Sequence, residues 1–174
     1  EGRQYWAAME LMGAYSHANH EIIHGQVLAM LDARAVWVVE NHHNFAWIER
    51  HRGREAVVHR KGATPAHQGV LGVIPGSMAS PAYVVRGLGN EDALCSASHG
   101  AGRKMSRKAA AKAFSWRDIE EALRGAGVTL ISAGRDEAPM AYKDIREVMA
   151  AQRELVETVA EFAPRIVKMA PGGK

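Results

Sequence analysis

The chain has 174 residues, 47% of them hydrophobic, which is enough apolar material for a single globular domain with a real core. Its 22 Lys+Arg against 19 Asp+Glu leave a net charge of +3, a mildly basic surface that suits a phosphate-bearing partner. This composition excludes a disordered tail, and a lone cysteine, Cys95, excludes an internal disulfide and a stapled secreted scaffold. A reducing cytoplasm is the expected setting. No run approaches the roughly 20 apolar residues that span a bilayer, and the N-terminus has no signal-peptide pattern, so no membrane partner is expected. The sequence opens at Glu1 within a helical pattern, which reads as a piece of a longer protein.

Tyr5, Met9, Met12 and Ile23 keep helical spacing and predict one long helix from about Arg3 to Leu31, with Gly13 as its weak point. Short β-branched or aromatic runs at Ala35–Glu40, Phe45–Arg50 and Ala56–Arg60 predict strands, the last two joined by an Arg52-Gly53 hairpin turn. Val70–Ile74 and Ala82–Arg86 predict two more around a Pro75-Gly76-Ser77-Met78 corner, and Ala93–Ala97 another. Arg103–Phe114 has helix-favouring composition, and Ser115 is the expected N-cap of a helix over Trp116–Arg124 that Gly125 and Gly127 stop. A strand at Val128–Ser132 follows. Ile145, Val148, Met149, Leu155, Val159 and Phe162 form the apolar stripe of a predicted amphipathic helix over Tyr142–Phe162, and Ile166–Met169 closes the chain. Strands and helices do not alternate as βαβ units, so the expected class is α+β, with mixed sheets and flanking helices.

The most informative segment is Ser98-His99-Gly100-Ala101-Gly102-Arg103-Lys104-Met105-Ser106-Arg107. Glycines on both sides of Ala101 let backbone approach a ligand closely, and a following helix start offers free N–H groups to an anion. On a helix, Arg103 and Arg107 share one face, and between Ala93 and Arg117 there are six Lys/Arg and no Asp/Glu. The same pattern suits a glycine turn into a solvated basic helix. Asn41-His42-His43-Asn44 offers imidazoles to a divalent metal, or a hydrogen-bonded strand end. His17, His20 and His24 stack on one helical face, which fits a wet polar surface better than a zinc site. His59-Arg60-Lys61-Gly62 ends a strand with cationic side chains that suit phosphate or solvent equally, and Cys95 reads as a buried, inert thiol.

Taken together, His43-Asn44, His59-Arg60-Lys61-Gly62-Ala63-Thr64, Pro75-Gly76-Ser77-Met78, Ser98-His99-Gly100-Ala101-Gly102-Arg103, Met105-Ser106-Arg107 and Glu137-Ala138-Pro139-x-x-Tyr142-Lys143 resemble, in order and spacing, the RtcB family of RNA-splicing ligases. The resemblance covers nearly the whole chain and implies an RtcB-like fold, of which these residues would be the C-terminal part.

By that resemblance, His99 is the nucleophile that attacks the α-phosphate of GTP and holds GMP as a phosphoramidate. The GMP passes to an RNA 3′-phosphate (or 2′,3′-cyclic phosphate) end, and a 5′-hydroxyl end displaces it to seal the strand, in tRNA splicing or RNA repair. His43 would be a ligand of Mn2+, a pair of ions per site in the family. Asn44, Pro75, Gly76, Ser77, Met78, Gly100, Ala101, Gly102 and Tyr142 would cradle GTP and GMP, with Arg103 and Arg107 near phosphate or RNA ends. An archease-like activator is a further implied partner.

The sequence departs from the family pattern in several places. The Asp and Cys metal ligands and the motifs G-N-H and H-x-G-S-R-G are absent; Ser98 stands where the family commonly has Cys, and Ala82 where it has a GMP-contacting serine. The family's C-terminal nucleotide-contacting lysine has two imperfect counterparts, Lys168 and Lys174. Two other readings therefore remain: a non-catalytic GMP- or RNA-binding module, and a ligase acting on other phosphate-ended nucleic acid.

Overall fold

The computed structural model describes residues 1–171, and its contacts divide the chain into two units, Glu1–Val38 and Val39–Lys174. The first unit is essentially one helix, α1 (Gly2–Met30). Gly13 does not break it, and it buries none of its residues, leaving Leu11, Met12, Ile22 and Ile23 exposed. Among the described residues no helix is long and apolar enough to cross a membrane.

The second unit mixes small sheets with short helices, the expected α+β arrangement. Asn44–His51 (β1) and Arg54–Lys61 (β2) form an antiparallel hairpin, Asn44 opposite Lys61 and His51 opposite Arg54. Arg52 and Gly53 both have positive φ, +49° and +78°, the backbone that a two-residue turn between right-twisted strands requires. Ala63–Pro65 (β3), a strand the sequence pattern does not announce, pairs antiparallel with Ser96–Ser98 (β6). Leu71–Ile74 (β4), Ala82–Gly87 (β5) and Val156–Phe162 (β8) make a three-stranded sheet with β5 in the centre. Thr129–Ser132 (β7) pairs parallel with Ile166–Lys168 (β9). The helices are Arg107–Ala113 (α2), Trp116–Gly125 (α3) and Ile145–Ala151 (α4). Ser115 caps α3 as expected, its capping-box partner being Asp118.

Two apolar clusters hold this unit together. Ile74, Tyr83, Val85, Ala97, Ala101, Ile145 and Val156 pack in one; Met78, Ile119, Leu123, Val128, Ala133 and Ala138 pack in the other. The corner at residues 75–78 leaves Ile74 in the first cluster and enters the second at Met78. It is thus anchored at both ends by burial of apolar side chains.

Four expectations are corrected. The predicted helix over Tyr142–Phe162 is helical only over α4, and its second half is strand β8. Its apolar positions fit helical spacing, but Val156, Thr158 and Val159 are β-branched, and the open edge of β5 offers them a ladder. The predicted strand Ala35–Glu40 does not form: none of these residues takes strand conformation in a ladder, and Val36 lies fully in solvent. The helix expected from Arg103 starts only at Arg107, behind the Ser106 cap, because Lys104 N donates to Ala141 O (2.7 Å) and Arg103 pairs with Tyr142 in a β-bridge. The strand expected at Ala93–Ala97 is displaced to β6 by the 3-10 turn Glu91–Ala93.

Candidate functional site

The residue that joins the two imidazoles is Gly62, between β2 and β3. Its N–H donates to His43 O (3.0 Å) and its carbonyl accepts from His99 N (3.3 Å). At φ +70° it takes a backbone that disfavours any side chain, and a Cβ there would reach within 4.0 Å of His99 Nδ1. The result is that the His43 and His99 rings stack with centroids 4.8 Å apart and planes inclined by 27°. Burial first, and the neighbouring His43 second, hold His99 below the ordinary imidazole range, so it is neutral at pH 7.

The loop after His99 is seated on the corner at residues 75–78. Ala101 N donates to Pro75 O (3.0 Å), and Gly100 lies so close that a Cβ would come within 3.1 Å of that same oxygen. Ser98 Oγ donates to Gly100 O (2.6 Å), while Ser98 N donates to the buried Gln152 Oε1 (3.0 Å). Within the corner, Ser80 Oγ accepts from Ser77 N (2.7 Å) and lies 2.8 Å from Ser77 Oγ. Gly76 is packed against Pro81 O and Ser80 Oγ, with no room for a methyl group.

Behind the corner lies a mostly apolar cavity of about 260 Å³. It is walled by Pro75, Gly76, Ser77 and Met78 on one side, by Glu137 and Tyr142 on another, and by Phe162, Val167 and Met169 from the end of the described chain. Ser80 and Ala82 also face it. Lys168, between Val167 and Met169, is exposed, and Lys174 lies outside the described residues.

Arg103 and Arg107 do not share a helical face, as the sequence led us to expect, yet both converge on Glu137. Arg107 Nη2 is 3.0 Å from Glu137 Oε1, and Arg103 Nη1 is 3.5 Å from Glu137 Oε2. The Tyr142 hydroxyl donates to Glu137 Oε2 and accepts from Arg103 Nη1 (2.9 Å), and the Arg103 guanidinium lies 4.9 Å over the Tyr142 ring. Burial and the Glu137 carboxylate push the Tyr142 phenol above its ordinary range. Arg103 is further held by the carbonyls of Met105 (3.1 Å) and Asp136, while most of the Arg107 side chain is in solvent.

The structure therefore brings together His43, His99, Gly100, Ala101, Pro75, Gly76, Ser77, Met78, Tyr142, Arg103 and Arg107 in one continuous region. Gly102, at φ +71°, serves that region through its carbonyl, which accepts from Lys143 N (3.0 Å). Asn44 is exposed at the start of β1 and does not line the cavity. Arg60 is not available to a phosphate: it is 2% exposed and bonded to Glu49, Ser96 Oγ and Leu94 O. His42 stacks on Phe45 (5.0 Å), and His20 lies beside His24 on α1 (5.9 Å).

Sequence reasoning missed three residues. Glu137, which lies within the motif around Tyr142 without a role implied for it, is the node of the Arg103, Arg107 and Tyr142 network. Gln152 supports the loop from below, and Asn41 joins β3 to β4 by donating to Thr64 Oγ1 and accepting from Val73 N (3.2 Å). The motif spacing signalled Glu137, and Asn41 heads the Asn41–Asn44 segment without a role of its own; nothing in the sequence marked Gln152.

The family model for tRNA-splicing ligase RtcB matches residues 1–169. The RNA-splicing ligase RtcB of Escherichia coli K12 is 52% identical over 118 residues, covering 68% of this chain and 29% of that protein. Its namesake in Mycobacterium bovis is 33% identical over 191 aligned positions, 94% of this chain and 44% of the relative. The tRNA-splicing ligase RtcB of Methanopyrus kandleri is 32% identical over 213 positions, 99% of this chain and 21% of the relative. The chain thus spans less than half the length of each of these relatives. With the family model matched from Glu1 to Met169, across both the His99 loop and the cavity wall it leans on, the chain belongs to the RtcB family.

Proposed function

We propose that this chain carries the nucleotidyl-transferring part of a GTP- and Mn2+-dependent RNA ligase, which joins RNA 3′-phosphate or 2′,3′-cyclic phosphate ends to 5′-hydroxyl ends in tRNA splicing or RNA repair. The observation that supports it best is the seating of the His99 loop on the Pro75–Met78 corner beside a cavity whose volume exceeds that of a purine base.

In this reading the cavity takes the guanine of GTP, with Tyr142 and Glu137 at its rim. A neutral His99 ring nitrogen attacks the α-phosphorus; the new N–P bond forms as the bond to the bridging oxygen breaks, and pyrophosphate leaves. Desolvation serves this step, because it keeps the imidazole lone pair free of a proton. Arg107, the more exposed of the two arginines, faces the RNA ends, and Arg103 positions Tyr142. His43 is proposed as one manganese ligand. The His, Cys, Asp and Glu side chains that converge in a group of three among the described residues are His51, Glu91 and Cys95, not His43, so these residues do not compose the family's manganese pair by themselves.

The test is the intact mass of the chain after incubation with GTP and Mn2+, alone and with the N-terminal part of the Escherichia coli relative supplied. A GMP-sized gain that His99→Ala abolishes is the expected result. Undiminished gain in His99→Ala would overturn the assignment of His99. No gain under either condition favours the non-catalytic GMP- or RNA-binding module, and joining of DNA ends in place of RNA ends would redirect the substrate.

A further inference from the structure

A second cluster of chemistry-bearing side chains lies at the opposite end of β1. His43 precedes that strand and His51 ends it, which separates the two by about 25 Å at about 3.3 Å per residue. A ring nitrogen of His51, a carboxylate oxygen of Glu91 and the sulfur of Cys95 all lie within 4.8 Å of one another. His51 and Cys95 are buried; Glu91 is exposed and opens the cluster to solvent.

The orientation of His51 is set from behind. Its Nε2 lies 2.8 Å from Glu49 Oε2, and Glu49 is in turn clamped by Arg60. A carboxylate accepts only, so both ring nitrogens donate, Nε2 to Glu49 Oε2 and Nδ1 to Glu91 Oε2 at 3.2 Å, and a metal ion at Nδ1 would take the place of that second proton. A carboxylate holding the far nitrogen of an imidazole is also the arrangement that fixes histidines as metal ligands.

We propose that His51 Nδ1, Glu91 and Cys95 Sγ bind a zinc ion, with water in the fourth position. One imidazole, one carboxylate and one thiol suit Zn2+, whereas Mn2+ and Mg2+ favour oxygen-rich sites. Binding releases the thiol proton, and any proton held between His51 and Glu91, to solvent. The ion would clamp the hairpin to the 3-10 turn Glu91–Ala93 and to Cys95, one residue before the strand that delivers His99. The site is independent of the proposed ligase reading, since none of its three ligands lines the cavity or touches His99.

Cobalt(II) titration of the full chain tests this, because Cys95 is the only cysteine and a thiolate-to-cobalt charge-transfer band has no other source. The band should appear with the wild-type chain, vanish in Cys95→Ser, and collapse when Zn2+ is added. Glu91→Gln, a change at an exposed position, should weaken Co2+ binding about 10-fold or more. His43→Ala should leave the band intact, which separates this site from the manganese proposal. Absence of the band in the wild-type chain, its persistence in Cys95→Ser, an unchanged titration in Glu91→Gln, or failure of Zn2+ to displace cobalt would each overturn the proposal.

Discussion

The Arg60 guanidinium grips the Glu49 carboxylate with both of its forks, Nη1 2.6 Å from Oε1 and Nη2 2.8 Å from Oε2, beneath the Trp47 ring whose centroid lies 5.0 Å from the Arg60 Cζ. Both side chains are almost fully withdrawn from water. A buried pair of this kind contributes little over an apolar substitute, but each half depends heavily on the other.

Arg60→Met should therefore destabilise the chain by about 3–5 kcal/mol, because Glu49 stays buried without its cation. Chemical denaturation of the two proteins measures this directly. A loss below about 1 kcal/mol would mean that water reaches Glu49.

The same pair sets an acid limit. Burial alone would raise Glu49, but hydrogen bonds from Arg60, His51 and His67 hold it at about 2, against an ordinary 4.5. A carboxyl lowered in the folded state stabilises that state above its unfolded pKa and loses the contribution as pH falls through the folded one. Stability should thus decline between about pH 4.5 and pH 2, and a Glu49→Gln chain should show a shallower decline over that window.

Two glycines of the site should differ in their tolerance. Gly76→Ala drives a methyl into Pro81 O and Ser80 Oγ, both at fixed positions in the corner, at a cost of about 1–3 kcal/mol and with lost affinity for GMP. Gly100→Ala meets Pro75 O at 3.1 Å, a contact that a few tenths of an ångström relieve, and should cost less in both. Thermal melts and calorimetric GMP titration would rank them; the reverse order would argue that the corner is the softer of the two walls.

Arg107 and Tyr142 should separate function from folding. Arg107→Ala removes a solvent-exposed side chain and should change stability by no more than about 0.5 kcal/mol while reducing end joining. Tyr142→Phe takes away the hydroxyl shared by Glu137 and Arg103, and should cost about 1 kcal/mol as well as GMP affinity. Joining by Arg107→Ala at the unmodified rate would remove that arginine from the RNA path.

Legibility followed range. The β1–β2 hairpin and the Ser115 cap were readable because their causes are local: a two-residue turn, a serine ahead of an aspartate. Motif order alone indicated that residues 75–78, 99–102 and 142 belong together. Strand β8 was hidden because its cause is the unpaired edge of β5, some seventy positions earlier, and a helical stripe imitated it. Arg60 reads as a cationic strand end suited to phosphate or solvent equally for a related reason: no local pattern announces that its side chain will reach Glu49, whose register partner is Ala56 and not Arg60.

The cavity wall has a consequence for synthesis on the ribosome. Met78 and Met169 face the same space from positions 91 residues apart. At roughly 5–20 residues per second, the corner is translated some 5–20 s before its last wall. For that interval the nascent chain displays the corner and the His99 loop without Val167 and Met169 behind them. The cavity is thus completed only when residues 167 and 169 arrive, after the rest of its wall has already been made.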